Sequence, residues 1–385
     1  MPLPSPVEIR ELTEQLVRVP SVNPVLFPDE PHGEAAIAAF ACEWLRARGV
    51  RAWTEDAAPG RPNAVAEVGA GSGPAVILCA HLDTVGTAGM SAPFEPRVED
   101  DRLFGRGSCD MKGGVAACMA VAAGAQREPF DGRLLLALVA DEEYASAGAK
   151  AFVARHGGDA CILTEPSEGR LVLAHKGFVW ARIVTRGRAA HGSRWDLGES
   201  AVARMGRVIA ALDRFDHEVL RRRDHPLVGP ASMHCATVHG GVGLSTYAPE
   251  CRLEVERRTL PGETAAQVEA ELAQVVRDAG EHEHTAVEIT LTQEPMTCPA
   301  DAPIARAVRE AARAEHGGPV PEIGVAYWMD AAIFSAAGIP TVDYGPSGGG
   351  EHETEEWVSL ESVVRTARVL DRAVRDFCAS RAATR

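Results

Sequence analysis

Histidine and carboxylate side chains stand just past apolar runs at several points of this sequence. His81 and Asp83 follow residues 74–80 (PAVILCA), and the acids Asp141, Glu142 and Glu143 follow 133–140 (RLLLALVA). Glu165 follows 160–164 (ACILT), Asp343 follows 338–342 (GIPTV), and His352 comes a glycine-rich loop later. Ligands of open α/β sheets gather outside the carboxyl ends of the strands, so parallel pairing of these runs would bring the side chains to one edge. Imidazole and carboxylate together suit a hard-to-borderline divalent metal. His81 and Asp83, two apart in an extended segment, point to the same side. A carboxylate so placed can accept the second ring N–H of a metal-bound imidazole and fix its tautomer. Asp110, between a glycine-rich turn and an alanine-rich helix, is suited to capping that helix, and the glycines would equally let the backbone approach a ligand. Glu142 and Glu143 are costly to crowd at the end of a buried strand. A metal would relieve them, one ligating while its neighbour holds a proton in transit, and spacing does not say which is which. Asp110, Glu143 and Glu165 with a bridging hydroxide would offset two divalent cations, His81 and His352 being neutral. Such a cluster can be buried without a large charge penalty. Paired metals about 3.5–4 Å apart generate hydroxide at neutral pH and polarise a carbonyl together.

The elements that must position these groups follow from the hydrophobic pattern. Residues 8–20 and 34–48 carry apolar side chains at helical spacing. Strand-like and helix-like stretches then alternate to about residue 176, as in a largely parallel sheet covered by helices. From 178 to 186 the sequence alternates apolar and polar, the mark of a half-exposed antiparallel strand. A helix over 199–220, a strand over 251–256, a helix over 265–279 and a strand over 286–292 complete a small α+β unit. The α/β pattern resumes near residue 296. The expected fold is therefore α/β, a mostly parallel sheet domain of residues 1–176 and 296–385, with an inserted α+β domain of residues 177–295.

At 385 residues the chain is too long for one ordinary core. Its formal net charge of -15 argues against nucleic-acid or anionic-membrane partners. Nine cysteines, with no Cys-x-x-Cys pair, read as reduced and mostly buried thiols. No early segment has the basic start and apolar core of a signal peptide, and the expected address is cytoplasmic. Several suggestive strings carry little. His282-Glu283-His284 reads as an exposed turn, and Gly348 to Gly350 lacks the Gly-Lys-Ser/Thr of a phosphate loop. Cys79 and Cys109 read as small packing residues, and Ser193 lacks a nucleophile-elbow setting.

Taken in order, the strings 79–85 (CAHLDTV), 105–114 (GRGSCDMKGG), 141–143 (DEE), 164–166 (TEP), 190–193 (AHGS), 256–263 (ERRTLPGE) and 352–358 resemble the M20 metallopeptidases. That family includes acetylornithine deacetylase, succinyl-diaminopimelate desuccinylase, aminoacylase-1 and glutamate carboxypeptidase. The resemblance implies a zinc-exopeptidase-like fold and two zinc ions, with cobalt able to substitute. His81 would bind one zinc, Asp110 would bridge both, and Glu143, Glu165 and His352 would complete the shells. Asp83 would orient His81, and Glu142 would be the general base. The peptide after the bridging aspartate is often cis in this family, which makes Asp110–Met111 a candidate. The inserted domain would be a dimerisation or lid domain of a homodimer. Its His191 would reach the partner's active site and stabilise the oxyanion, and Arg258 would grip a substrate carboxylate. The implied reaction is hydrolysis of an N-acyl-L-amino acid, with a dipeptidase or carboxypeptidase as the nearest rival. An aminopeptidase fits less well, because that branch tends toward aspartate where Glu165 stands. A metal-binding scaffold without catalysis would have no need of Glu142. Two positions depart from the family pattern and bear on substrate identity. Ser245, Thr246 and Tyr247 stand where many members have a lid asparagine, and Glu256-Arg257 precedes Arg258 where Asp-x-Arg is commoner.

Overall fold

The computed structural model describes residues 3–30, 32–69, 73–87 and 89–382. The chain forms two compact units. The larger holds the residues up to Leu173 together with Cys298–Ile323 and the chain from Met329 on; the smaller holds Ala174–Thr297 and Gly324–Trp328.

The larger unit is built on a mixed sheet whose centre is parallel. Strand Ala75–His81 pairs in parallel with Arg133–Val139 on one side and Ala160–Leu163 on the other, and Thr341–Asp343 adds in parallel to Ala160–Leu163. Antiparallel strands Arg61–Val68 and Arg51–Ala58 continue the sheet beyond Arg133–Val139. The parallel strands are buried throughout or nearly so, which explains their uninterrupted Leu, Ile, Val and Ala composition. Helix Pro6–Val17 starts at a capping box in which Ser5 and Glu8 satisfy each other's backbone N–H. Helix Gly113–Arg127 packs against the long helix Leu360–Ala382 and is buried on nearly all sides, so its small side chains are a packing requirement. At Gly114 a Cβ would collide with Thr164 O; the bare backbone lets the segment after Asp110 close on the strand end before Glu165. A second small sheet joins Arg97–Glu99, Arg102–Phe104, Trp357–Ser359 and Gly348–Gly349.

In the smaller unit, the antiparallel sheet runs in the order Ser232–Gly240, Glu250–Thr259, Gly177–Arg186, Thr285–Gln293. Helices Ala201–Glu218 and Ala265–Asp278 pack with it. Val179, Ala181, Ile183, Leu253 and Val255 meet Met205, Val208, Leu212, Val268 and Leu272 in one core. Both helices begin at a side-chain cap, Ser200 and Thr264. Strand Ser232–Gly240 has no counterpart in the sequence reading. It is an edge strand exposed at nearly every position past Met233, so it lacks the alternation that marks the others.

The expected boundaries at 176/177 and 295/296 lie within three residues of the division between the compact units. The unit boundary falls at 173/174 and 297/298, and Gly324–Trp328 belongs to the smaller unit. The cause is local pairing. Lys176 N donates to Val325 O at 3.3 Å, Trp328 Nε1 donates to Glu294 O at 2.9 Å, and the Trp328 ring meets His175 and Phe178 edge-on.

All nine cysteines are free, and Cys235 alone is exposed. Among the described residues no helix is long and apolar enough to cross a membrane.

Candidate metal centre

The parallel strands deliver their polar ends to one place. His81 ends its strand, the turn of Asp141, Glu142 and Glu143 follows Arg133–Val139, and Glu165 follows Ala160–Leu163. His81 Nε2 lies 2.8 Å from Asp110 Oδ1 and 3.8 Å from Glu165 Oε2. On the other side of Asp110, His352 Nε2 lies 3.3 Å from Asp110 Oδ2 and 3.4 Å from Glu143 Oε2. The donor atoms of His81, Asp110 and Glu165 lie within 4.8 Å of one another, as do those of Asp110, Glu143 and His352. Asp110 is common to both sets, one carboxylate oxygen facing each. The Asp110–Met111 peptide is cis.

Electrostatics mark the cluster as a place that wants cations. Burial pushes the Glu142 carboxyl well above the ordinary range; Glu165, Asp330 and Glu143 add to this, and His81 opposes it. Glu165 is raised well above its usual value by burial, with Asp110, Asp343 and Asp330 adding to it, and Glu143 is raised by burial and by Asp110. Asp330, buried nearby, is held up at about 7, chiefly by burial. Burial also acts on Asp110, but hydrogen bonds from His352 and His81 outweigh it and hold that carboxyl low. Bonds to Asp110 and Glu143 hold the His352 imidazole up at about 10. Glu143 Oε1 is buried with no hydrogen-bond partner. Two three-donor sets sharing an aspartate, an orphaned buried carboxylate oxygen and mutually repelling acids fit a pair of divalent ions.

Asp83 meets the His81 ring through its backbone carbonyl. His81 Nδ1 is 2.9 Å from the Asp83 backbone carbonyl and 3.7 Å from its carboxylate, so the carbonyl is the nearer acceptor for the ring N–H. The carboxylate is occupied elsewhere. It accepts from Asn23 Nδ2 at 2.8 Å, from Glu142 N at 3.1 Å and from Glu143 N at 3.3 Å. Asp83 therefore holds the backbone of the acidic turn. Asp141, in the turn itself, accepts from Asn23 Nδ2 at 3.1 Å and from Arg61 at 3.0 Å, while Arg61 also pairs with buried Glu34. Asp343 supports Glu165 by accepting from its backbone N–H at 2.8 Å.

His191 and Arg258 belong to the smaller unit. His191 is exposed, its Nδ1 2.9 Å from Ser193 Oγ. Arg258 ends strand Glu250–Thr259, where its Nε donates to Glu256 Oε1 at 2.7 Å and its guanidinium lies 5.1 Å above the Phe178 ring. Asn23, Arg61 and Glu34 had no signal in the sequence beyond being polar, and Arg106 and Glu356 lie in the strings 105–114 and 352–358 without any mark of their part. Their part emerges only from long-range contacts.

Residues 77–376 match the model of peptidase family M20/M25/M40. Acetylornithine deacetylase of Myxococcus xanthus is 32% identical over 343 residues, covering 85% of this chain and 87% of that protein. Among solved structures, aminopeptidase PepT from Bacillus cereus superposes with a TM-score of 0.80 at 19% identity, covering 98% of this chain and all of that one. The Bacillus subtilis YXEP protein, a dinuclear metal-binding peptidase of the M20 family, gives a TM-score of 0.75 at 15% identity, covering 97% and 98% of the two chains.

Proposed function

The chain belongs to peptidase family M20/M25/M40, as a metal-dependent hydrolase acting on amide or peptide bonds, and from that premise we propose that it deacylates an N-acyl-L-amino acid. The carrying observation is the pair of donor sets meeting at Asp110 beside Glu142. His81, Asp110 and Glu165 would hold one divalent ion and Asp110, Glu143 and His352 the other, with zinc the expected metal and cobalt a substitute. When bound, such ions supply Lewis acidity toward a carbonyl and toward water.

The chain's own groups then have separable tasks. Glu142 takes the proton from the attacking water and returns it to the departing amine. Asp83, through the amides of Glu142 and Glu143, fixes where that carboxylate stands. In the smaller unit, Arg258 offers its guanidinium to the substrate's free carboxylate. His191, contributed across a homodimer, donates to the developing oxyanion.

The curated relative named above, acetylornithine deacetylase, supports an acylated amino acid as substrate. The test is amine release from N-acetyl-ornithine, N-acetyl-methionine, N-succinyl-diaminopimelate and several dipeptides, using zinc- or cobalt-loaded protein with and without a chelator. Chelator-sensitive turnover of an acyl-amino acid is the expected result. Turnover of dipeptides alone would move the protein to the peptidase branch. Silence across the panel with two metals bound would defeat the catalytic reading.

A further inference from the structure

We propose that Glu356 is a positioning residue that sets the backbone carrying Asp110, and that Arg106 carries the same hold over to the loop of His352. The inference rests on the metal-site reading above and adds to it two residues that touch no metal.

Glu356 is buried and its carboxylate is fully engaged. Oε1 accepts from Cys109 N and from Asp110 N, both at 2.9 Å. Oε2 accepts from Gly107 N and from the Arg106 guanidinium, both at 2.8 Å. A carboxylate offers about four acceptor positions, and here all are taken by donors from one short segment. Charge-assisted bonds of this kind are shorter and roughly twice as strong as neutral ones. The turn that aims three amides at one point requires Gly107 at a positive φ of 77.

Arg106 is as buried as its partner. Its remaining donors go to Gly86 O at 3.0 Å and to Glu353 O at 2.8 Å, one residue past His352. Arg106 and Glu356 are 250 positions apart in the chain, and the small sheet that pairs Trp357 with Phe104 closes the same junction. The loop of His352 leaves this sheet at Gly349 and re-enters it at Trp357. One buried ion pair thus fixes the segment of the shared ligand and the segment of the last ligand in a common frame. Asp110 faces both donor sets, so a shift of its backbone moves both. Outer partners of metal ligands typically alter affinity 10–100-fold.

The test is a cobalt titration of chelator-stripped full-length protein, followed by visible absorption, for wild type, Glu356→Gln, Arg106→Lys and Glu263→Gln. Glutamine keeps the shape of Glu356 but turns an NH2 toward amide donors. Its expected effect is roughly 10–100-fold weaker cobalt binding with an altered spectrum at both ions, and a fall in kcat larger than any change in KM. Arg106→Lys keeps the cation but loses its fork of donors, and should weaken mainly the ion held by Glu143 and His352. Glu263→Gln disturbs another buried arginine pair, with Arg257, and should lower thermal stability without touching the titration. Wild-type affinity and spectrum in folded Glu356→Gln would overturn the inference. So would a loss of stability matching Glu263→Gln with no spectral change. If Glu356→Gln does not fold, Arg106→Lys decides by the same two readings. A wild type that takes up no cobalt would sink the metal site itself, an outcome distinct from wild-type behaviour in the variants.

Discussion

The two units use charge in different measure. In the larger unit, His81, Asp83, Glu165, Asp343, Glu34, Arg61, Arg106 and Glu356 are buried and bound to one another or to backbone amides. In the smaller unit, Arg257, Asp216 and Glu281 are buried, but much of the sheet's charge faces outward as cross-strand pairs, Arg182 with Glu254 and Arg186 with Glu250, over a largely aliphatic core. Burying charge is a poor route to stability, since desolvation consumes most of the Coulomb gain, yet it holds side chains at fixed positions. The larger unit spends its polar groups on geometry. The smaller one rests on hydrophobic burial.

The largest expected effect lies inside the metal cluster. Glu142→Ala should lower kcat by about 10²–10⁴-fold while both metals stay bound, read by steady-state kinetics beside metal analysis. Loss of metal instead would mean that Glu142 and Glu143 have exchanged parts. Next, the contrast in charge use can be attacked directly. Arg61→Met strands Glu34 and Asp141 without their cation and should cost about 3–5 kcal/mol in urea unfolding. Arg182→Ala, at a solvated pair, should leave the urea midpoint within its error. A large loss at Arg182 would erase the distinction. Leu272→Ala in the smaller unit's core should cost about 2–5 kcal/mol and leave cobalt stoichiometry untouched.

A more gradual effect is a pH slope at His175. Burial moves its imidazole from 6.5 down to about 4. An unfolded histidine takes up a proton below its ordinary value, and the folded one does so only below the lowered value. Stability is therefore unaffected by this group above pH 6.5, falls as pH drops from 6.5 to 4, and levels off beneath that, by at most about 3 kcal/mol in all. Denaturation midpoints of wild type and His175→Gln should differ in slope between pH 6.5 and 4 and run parallel outside that window.

What the sequence made legible follows from the same contrast. His81, Glu142, Glu143 and Glu165 could be placed because each ends an apolar run, and a parallel sheet leaves strand ends few places to go. The smaller unit's helices and three of its strands were visible through periodicity, since each has one wet and one dry face. Strand Ser232–Gly240 was not, because an edge strand exposed on both faces has no period to read. Glu356 lies in the quoted string 352–358, but its part could not be read for another reason. It stands among Glu351, Glu353 and Glu355, where an acidic stretch reads as solvated, and only Arg106 and the amides of 107–110 explain its burial. Asp83 was placed correctly at the strand end, but its carboxylate serves the acidic turn, because the carbonyl of the same residue is nearer to His81 Nδ1.

The shared aspartate also divides the centre in time. His81, Asp110 and Glu165 all precede Leu173, so one donor set is present in the chain before the smaller unit begins to be synthesised. The other waits for His352, which follows the smaller unit in the chain. A nascent chain thus carries one donor set while the smaller unit is being made, and the second comes together only after residues 174–297 have been added.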